Sequence, residues 1–145
     1  MKITIEDILP EQEEEIIIRC HDLDDELMQL IYSLKSGRTH LSGYSEDGIA
    51  KLSPKDIYYF EAVDNKVFAC CEKNVYEVKL KLYEIEKMYE RSDFIRISKS
   101  MIADVSKIAK LKPSFNSRME AVMKNGEKII ISRQYVADLK KKLEL

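Results

Sequence analysis

The chain has 145 residues, 45% of them hydrophobic and 34% charged, with a formal net charge of -2. That length holds one domain with a real core and is too short for two large ones. No apolar run approaches the length needed to cross a bilayer, and the N-terminus lacks the basic-then-apolar pattern of a secretory signal, so a cytoplasmic protein without membrane insertion is expected.

The near-neutral total hides an uneven distribution. Residues 1 to 50 hold 12 acidic and 4 basic residues, a balance of -8, whereas residues 51 to 145 hold 14 acidic and 20 basic, a balance of +6. The last 55 residues reach +7, from 13 basic and 6 acidic. Such polarity suits a chain whose C-terminal part meets a polyanion, and it equally suits lysines that only solvate a surface. Cys20, Cys70 and Cys71 are odd in number and lack paired metal-ligand spacing, so they read as reduced structural thiols. His21 and the isolated His40 complete no ligand set; neither a metal nor a cofactor is expected.

In chain order, residues 2 to 5 (KITI) and 15 to 20 (EIIIRC) read as short strands separated by Pro10 and an acidic turn. Asp24 to Leu34 reads as a helix, because Leu27, Leu30, Ile31 and Leu34 recur at helical spacing, Asp24 or Asp25 can cap its start and Gly37 follows its end. This opening block is acidic and amphipathic, and can pack on the rest of the chain, pair with a second copy or receive a partner.

Short strands broken by turns follow: Thr39 to Tyr44, Gly48 to Leu52, Ile57 to Ala62, Lys66 to Glu72, Asn74 to Lys79, Ile95 to Lys99, Ile108 to Pro113, Arg118 to Met123 and Lys128 to Ser132. Asp64-Asn65, Lys73-Asn74 and Asn125-Gly126 supply turn signals. A short helix is predicted over Leu82 to Tyr89 and a closing one over Arg133 to Leu143 with Ser132 as its cap, while Ser100 to Ser106 fits helix or strand equally. The polar stretch Ser45 to Gly48 marks the boundary between an extension (residues 1–44) and a main domain (residues 45–145). The predicted class is therefore mainly β (α+β): an antiparallel, multi-sheet β fold with short helices, preceded by a small acidic β/α extension.

Two clusters carry chemistry. The segment FIRISKSMI (residues 94–102) sets Arg96, Ser98 and Lys99 among apolar residues, and ISRQY (residues 131–135) puts Ser132, Arg133, Gln134 and Tyr135 where a strand ends and a helix begins. Cationic side chains near hydroxyl and amide donors suit both phosphate oxygens and base edges, which makes duplex DNA the leading ligand. Arg133 also stands at a helix start, where the macrodipole disfavours positive charge, and an unfavourable placement points to use elsewhere. Arg96 follows Phe94 by two residues and is equally suited to holding Asp93 or Glu90. Tyr58, Tyr59 and Phe60 resemble a stacking platform, but strand alternation sends at least one inward and Glu61 repels phosphate, so core packing is the better reading. Glu61 has no acid-base partner, and no Gly-rich phosphate loop or nucleophile elbow is present, so no catalytic residue is expected.

Taken together, YYFEAVDNK (58–66), KLYEIEKM (81–88), FIRISKSMIADVSKI (94–108) and NGEKIIISRQYVADLKKKL (125–143) resemble, in order and spacing, the LytTR DNA-binding domain over residues 45 to 145. The resemblance implies a β-scaffold of bacterial transcription regulators that enters successive major grooves with loops instead of a recognition helix. It implies contacts from three places: Asn65 and Lys66, then Arg96, Ser98 and Lys99, then Ser132 and Arg133. Ser98 stands where family members often carry histidine, which alters base preference, and Asp104 where asparagine is usual, which implies a structural role away from DNA. Residues 1 to 45 are too short for the receiver domain often joined to such domains, so control by phosphoryl transfer is not expected. The expected function is a sequence-specific, double-stranded DNA-binding regulator acting as a homodimer. The alternative is a protein-interaction module whose acidic N-terminal block binds a regulatory partner.

Overall fold

The computed structural model describes residues 1–36 and 41–145, and the chain separates into two compact units between Gly37 and Arg38. No helix among the described residues is long and apolar enough to cross a membrane.

In the first unit the predicted helix is present as α1 (Asp25–Ser36). Asp24 caps it, its Oδ1 accepting from the Leu27 N–H at 2.8 Å, while Asp25 and Glu26 lie in the first turn, where negative charge favours the helix dipole. The two predicted strands before it are absent: residues 2–5 and 15–20 pair with no strand among the described residues. A strand needs a neighbour for its backbone N–H and C=O groups, and these segments have none. Ile3, Ile5, Ile16 and Ile17 are consequently exposed.

The second unit opens with the hairpin β1 (Leu41–Ser45) and β2 (Gly48–Leu52), paired in register from Leu41↔Leu52 to Ser45↔Gly48. The stretch Ser45 to Gly48 is thus the hairpin's turn, and a boundary near residue 45 falls inside β1. Thr39 and His40 of the predicted first strand lie outside the described residues. There follow β3 (Ile57–Val63), β4 (Lys66–Cys71), β5 (Val75–Val78), α2 (Leu82–Met88), β6 (Phe94–Ser98) and β7 (Met101–Asp104). These strands form one antiparallel seven-stranded sheet in the order β2-β1-β5-β4-β3-β7-β6. Next, β8 (Ile108–Pro113), β9 (Met119–Met123) and β10 (Lys128–Ile131) make a three-stranded sheet in the order β10-β9-β8, and α3 (Arg133–Lys142) ends the unit. The ambiguous stretch from Ser100 divides, becoming strand over β7 and a single 3-10 turn over Val105–Lys107.

The strand period of two gives β6 and β7 two apolar faces. Phe94 and Ile102 join Phe60 and the α2 residues Leu82, Ile85 and Tyr89 on one face. Ile97 and Ala103 meet Ala121, Met123, Ile129 and Ile131 of the small sheet, and Leu139 of α3, on the other. The large sheet's edge strand β6 is thereby held between a helix and a second sheet, which fixes the loops at its ends.

The aromatic run goes to packing. Phe60 is fully buried with its ring centroid 5.4 Å from that of Phe94. Burial first, and then a hydrogen bond to Glu127, hold the Tyr59 phenol well above its ordinary pKa. Burial also pushes the neighbouring Cys70 thiol up to about 11, which keeps it protonated and inert. Tyr89 is the exception in polar satisfaction, for its buried hydroxyl has no hydrogen-bond partner and burial pushes its pKa up to about 12. Removing an orphaned buried hydroxyl relieves a desolvation penalty, so Tyr89→Phe is expected to raise the unfolding free energy by about 1 kcal/mol in urea titrations followed by circular dichroism.

Candidate nucleic-acid interface

Three loops converge at one end of the second unit. The β3–β4 hairpin turns through Asp64 (φ 51°) and Asn65 (φ 63°), the left-handed pair that a two-residue turn of this hand requires. It leaves Asn65 and Lys66 exposed. The β6–β7 turn, carrying Lys99, lies beside it: the Ala62 N–H donates to the Ser100 carbonyl at 2.8 Å. The β10–α3 junction joins the same strand, because the Ser132 N–H donates to the Ile97 carbonyl at 2.9 Å. Ile97 lies between Arg96 and Ser98, so two segments 35 residues apart in the chain are tied by one backbone bond.

The seven anticipated residues are engaged differently. Arg96 is half-buried, with Nε donating to Glu86 of α2 at 2.8 Å and Nη1 donating to the Lys99 carbonyl at 2.7 Å. Its partner is Glu86, and neither of the carboxylates anticipated from the sequence, Asp93 or Glu90. Ser98 is half-buried, its Oγ accepting from the Ser100 N–H at 3.3 Å. Together these two side chains shape the turn that presents Lys99. Asn65, Lys66, Lys99 and Arg133 are exposed and, among the described residues, make no salt bridge.

Ser132 occupies the cap position of α3 without a side-chain cap bond, a correction to the cap predicted for it. Its backbone is held instead, by Ile97 on one side and by Tyr135, whose N–H donates to the Ser132 carbonyl at 2.9 Å. Without a side-chain cap, the Arg133 and Gln134 amides keep their donors for an outside acceptor. They open on a cleft of about 330 Å³ lined by Asn116, Arg118, Ser132, Arg133 and Gln134. Sequence reading missed Asn116 and Arg118. They come from the β8–β9 connection, which reaches the cleft because β10 ends opposite the start of β9, with Ile131 paired to Met119. Two guanidinium groups, a hydroxyl, two side-chain amides and a helix start make a seat for a phosphate-sized anion. Among the described residues no group of three His, Cys, Asp or Glu side chains converges as a metal site needs.

The family model of the LytTr DNA-binding domain matches residues 47–144. The chain belongs to the LytTR family. A solved LytTr DNA-binding domain from Bacillus cereus superposes with a TM-score of 0.71 and 28% identity, covering 75% of this chain and all of that one. The sensory transduction protein LytT of Bacillus subtilis is 36% identical over 99 residues, 68% of this chain and 41% of its own length. The chain thus spans about two fifths of the length of the LytT relatives it matches. A Staphylococcus aureus protein described as an uncharacterized HTH-type transcriptional regulator is 29% identical over 147 residues, covering all of this chain and 99% of that protein. In this LytTR chain, no two helices follow one another without an intervening strand among the described residues.

Proposed function

We propose that this LytTR chain is a sequence-specific double-stranded DNA-binding transcription regulator that reads major grooves with loop residues. The observation that carries the reading is the backbone tie between Ser132 and Ile97, which draws the Arg133 junction and the Lys99 turn to the end of the fold where Asn65 and Lys66 also emerge. Lys99 and Arg133 meet base edges, Asn65, Lys66 and Ser132 set register on phosphates, and Ser98 with Arg96 holds the Lys99 turn. Selection from a random duplex library tests this. An enriched motif is expected, with affinity falling as salt concentration rises, because cationic side chains at phosphates release counterions. A flat library or a salt-independent affinity would overturn it.

The positioning role of Arg96 has its own check. Glu86→Ala is expected to change stability by less than about 1 kcal/mol, since the Glu86 side chain is 47% exposed, yet to weaken DNA binding several-fold by loosening the Lys99 turn. Were Arg96 itself a DNA contact, freeing it from Glu86 would strengthen binding in the same gel shifts.

The regulator acts as a homodimer on two repeated half-sites, with the N-terminal unit, residues 1–37, preceding the DNA-binding domain in the chain. What supports a contact role for the extension is its exposed apolar set, Ile3, Ile5, Ile16 and Ile17 among acidic residues, on segments whose backbones have no strand partner among the described residues. A second copy satisfies both needs. The same observation favours a regulatory protein partner as the second reading, and sedimentation equilibrium of the full chain separates the two.

A further inference from the structure

Phe115 is absorbed by neither core. Phe60 and Phe94 are buried, whereas Phe115 is 87% exposed at the tip of the β8–β9 connection. The loop is closed at its base: the Ser114 N–H donates to the Arg118 carbonyl at 2.9 Å, and the Arg118 N–H to the Phe115 carbonyl at 3.2 Å. The next two residues, Asn116 (φ 56°) and Ser117 (φ 60°), are both left-handed without being glycine. Each such residue costs on the order of 1 kcal/mol, a strain kept where the surrounding structure dictates the shape of a loop. The loop holds the ring out in solvent while its other residues, Asn116 and Arg118, line the anion cleft with Arg133.

An apolar ring beside a cationic cleft with room for a backbone phosphate matches one ligand surface closely. Along a duplex, a phosphate strand borders each groove and stacked bases lie behind it. A side chain reaching past a seated phosphate meets sugars and a base step, and architectural proteins insert Phe, Leu, Ile or Met there to unstack the step and bend the helix. Charge complementarity at Arg118 selects the phosphate, and Phe115 then has a base step as its neighbour. We propose that Phe115 is a wedge that enters a base step flanking the sequence read by Arg133 and bends the duplex. This rests on the functional reading above, with Arg118 as the residue that seats the intervening phosphate.

The test uses the full chain and the duplex enriched from the random library, carrying 2-aminopurine at successive flanking steps. Bound wild type is expected to raise fluorescence several-fold at one step and to bend the duplex in circular-permutation gels. Phe115→Ala should abolish both signals and weaken binding about tenfold, with an unchanged circular dichroism spectrum because the ring packs on nothing. Phe115→Leu, which keeps an apolar wedge, should retain most of each. Tight binding by wild type with flat fluorescence and no bend overturns the wedge and leaves the functional reading intact. So does a Phe115→Ala variant that binds and bends normally, or one that instead loses self-association. Failure of wild type to bind any duplex overturns the functional reading, and this proposal with it.

Discussion

Replacing Asp104 by alanine is expected to lower the unfolding free energy by about 3 kcal/mol, read as a shift of the urea midpoint under circular dichroism. The Asp104 and Lys107 side chains are only 8% and 15% exposed and meet at 2.8 Å. The carboxylate does more than balance the charge. Its Oδ1 accepts from the Ser106 N–H at 3.0 Å and from the Ser106 hydroxyl at 2.6 Å, closing the turn that carries the chain from the large sheet to the small one. Alanine strands the ammonium with the Ile57 carbonyl at 3.0 Å and the Tyr58 ring at 5.4 Å, contacts that soften the loss without neutralising the charge. Asp104→Asn keeps only one acceptor, cannot serve both Ser106 and Lys107, and still leaves the ammonium without a counter-charge, so it should cost nearly as much as alanine. Asp104→Leu combined with Lys107→Met should recover much of the loss, because removing both charges leaves no ion buried alone. An unchanged midpoint in Asp104→Ala would show that Lys107 reaches water unaided and that the pair is ornamental to stability.

Asp104 also shows where sequence reading stops. Its structural role was legible from the family resemblance, and its spacing from Lys107 was visible, but nothing local says that both side chains turn inward. The strands were legible for a local reason: alternation and turn pairs such as Asp64-Asn65 are written into a few adjacent residues, and eight of the predicted strands from Gly48 onward recur with ends shifted by a residue or so. The two N-terminal strands misled for the converse reason. EIIIRC has strand composition, but a strand exists only with a partner, and pairing is decided by distant residues.

The interface follows the same division. Lys99 and Arg133 stood out as candidates because cations in an apolar strand and at a helix start are locally odd, and both are exposed. Ser132 has the residue type of a cap, yet its backbone follows the Ile97 carbonyl and its hydroxyl is left uncommitted to α3. Arg96 was anticipated among the DNA contacts, but the sheet face it shares with Phe94 looks toward α2, where Glu86 holds it. Asn116 and Arg118 gave no signal, because left-handed backbone at Asn116 and Ser117 without glycine is not announced by composition, and their nearness to Arg133 depends on the pairing of β9 with β10.

The division of labour at that interface leads to the second large effect, on specificity. Arg133→Ala is expected to reduce discrimination at one base position by roughly 10- to 100-fold, the loss of a bidentate arginine–guanine pair worth about 1–3 kcal/mol. Arg133 is exposed and pairs with no carboxylate among the described residues, so its removal leaves the fold unchanged and the effect belongs to binding. Lys66→Ala should act otherwise. Its ammonium extends from a hairpin end as a single point charge, so its loss should weaken selected and random duplexes alike and reduce the salt slope by about 1. The competing possibility is that Arg133 only seats a phosphate in the cleft beside Arg118; Arg133→Ala would then behave as Lys66→Ala does. Competition gel shifts at several salt concentrations decide between them, because a base contact changes the ratio of selected to random affinity and a phosphate contact changes the slope. Equal losses for both variants across both duplexes would remove Arg133 from base reading and leave Lys99 as the remaining cation able to carry it.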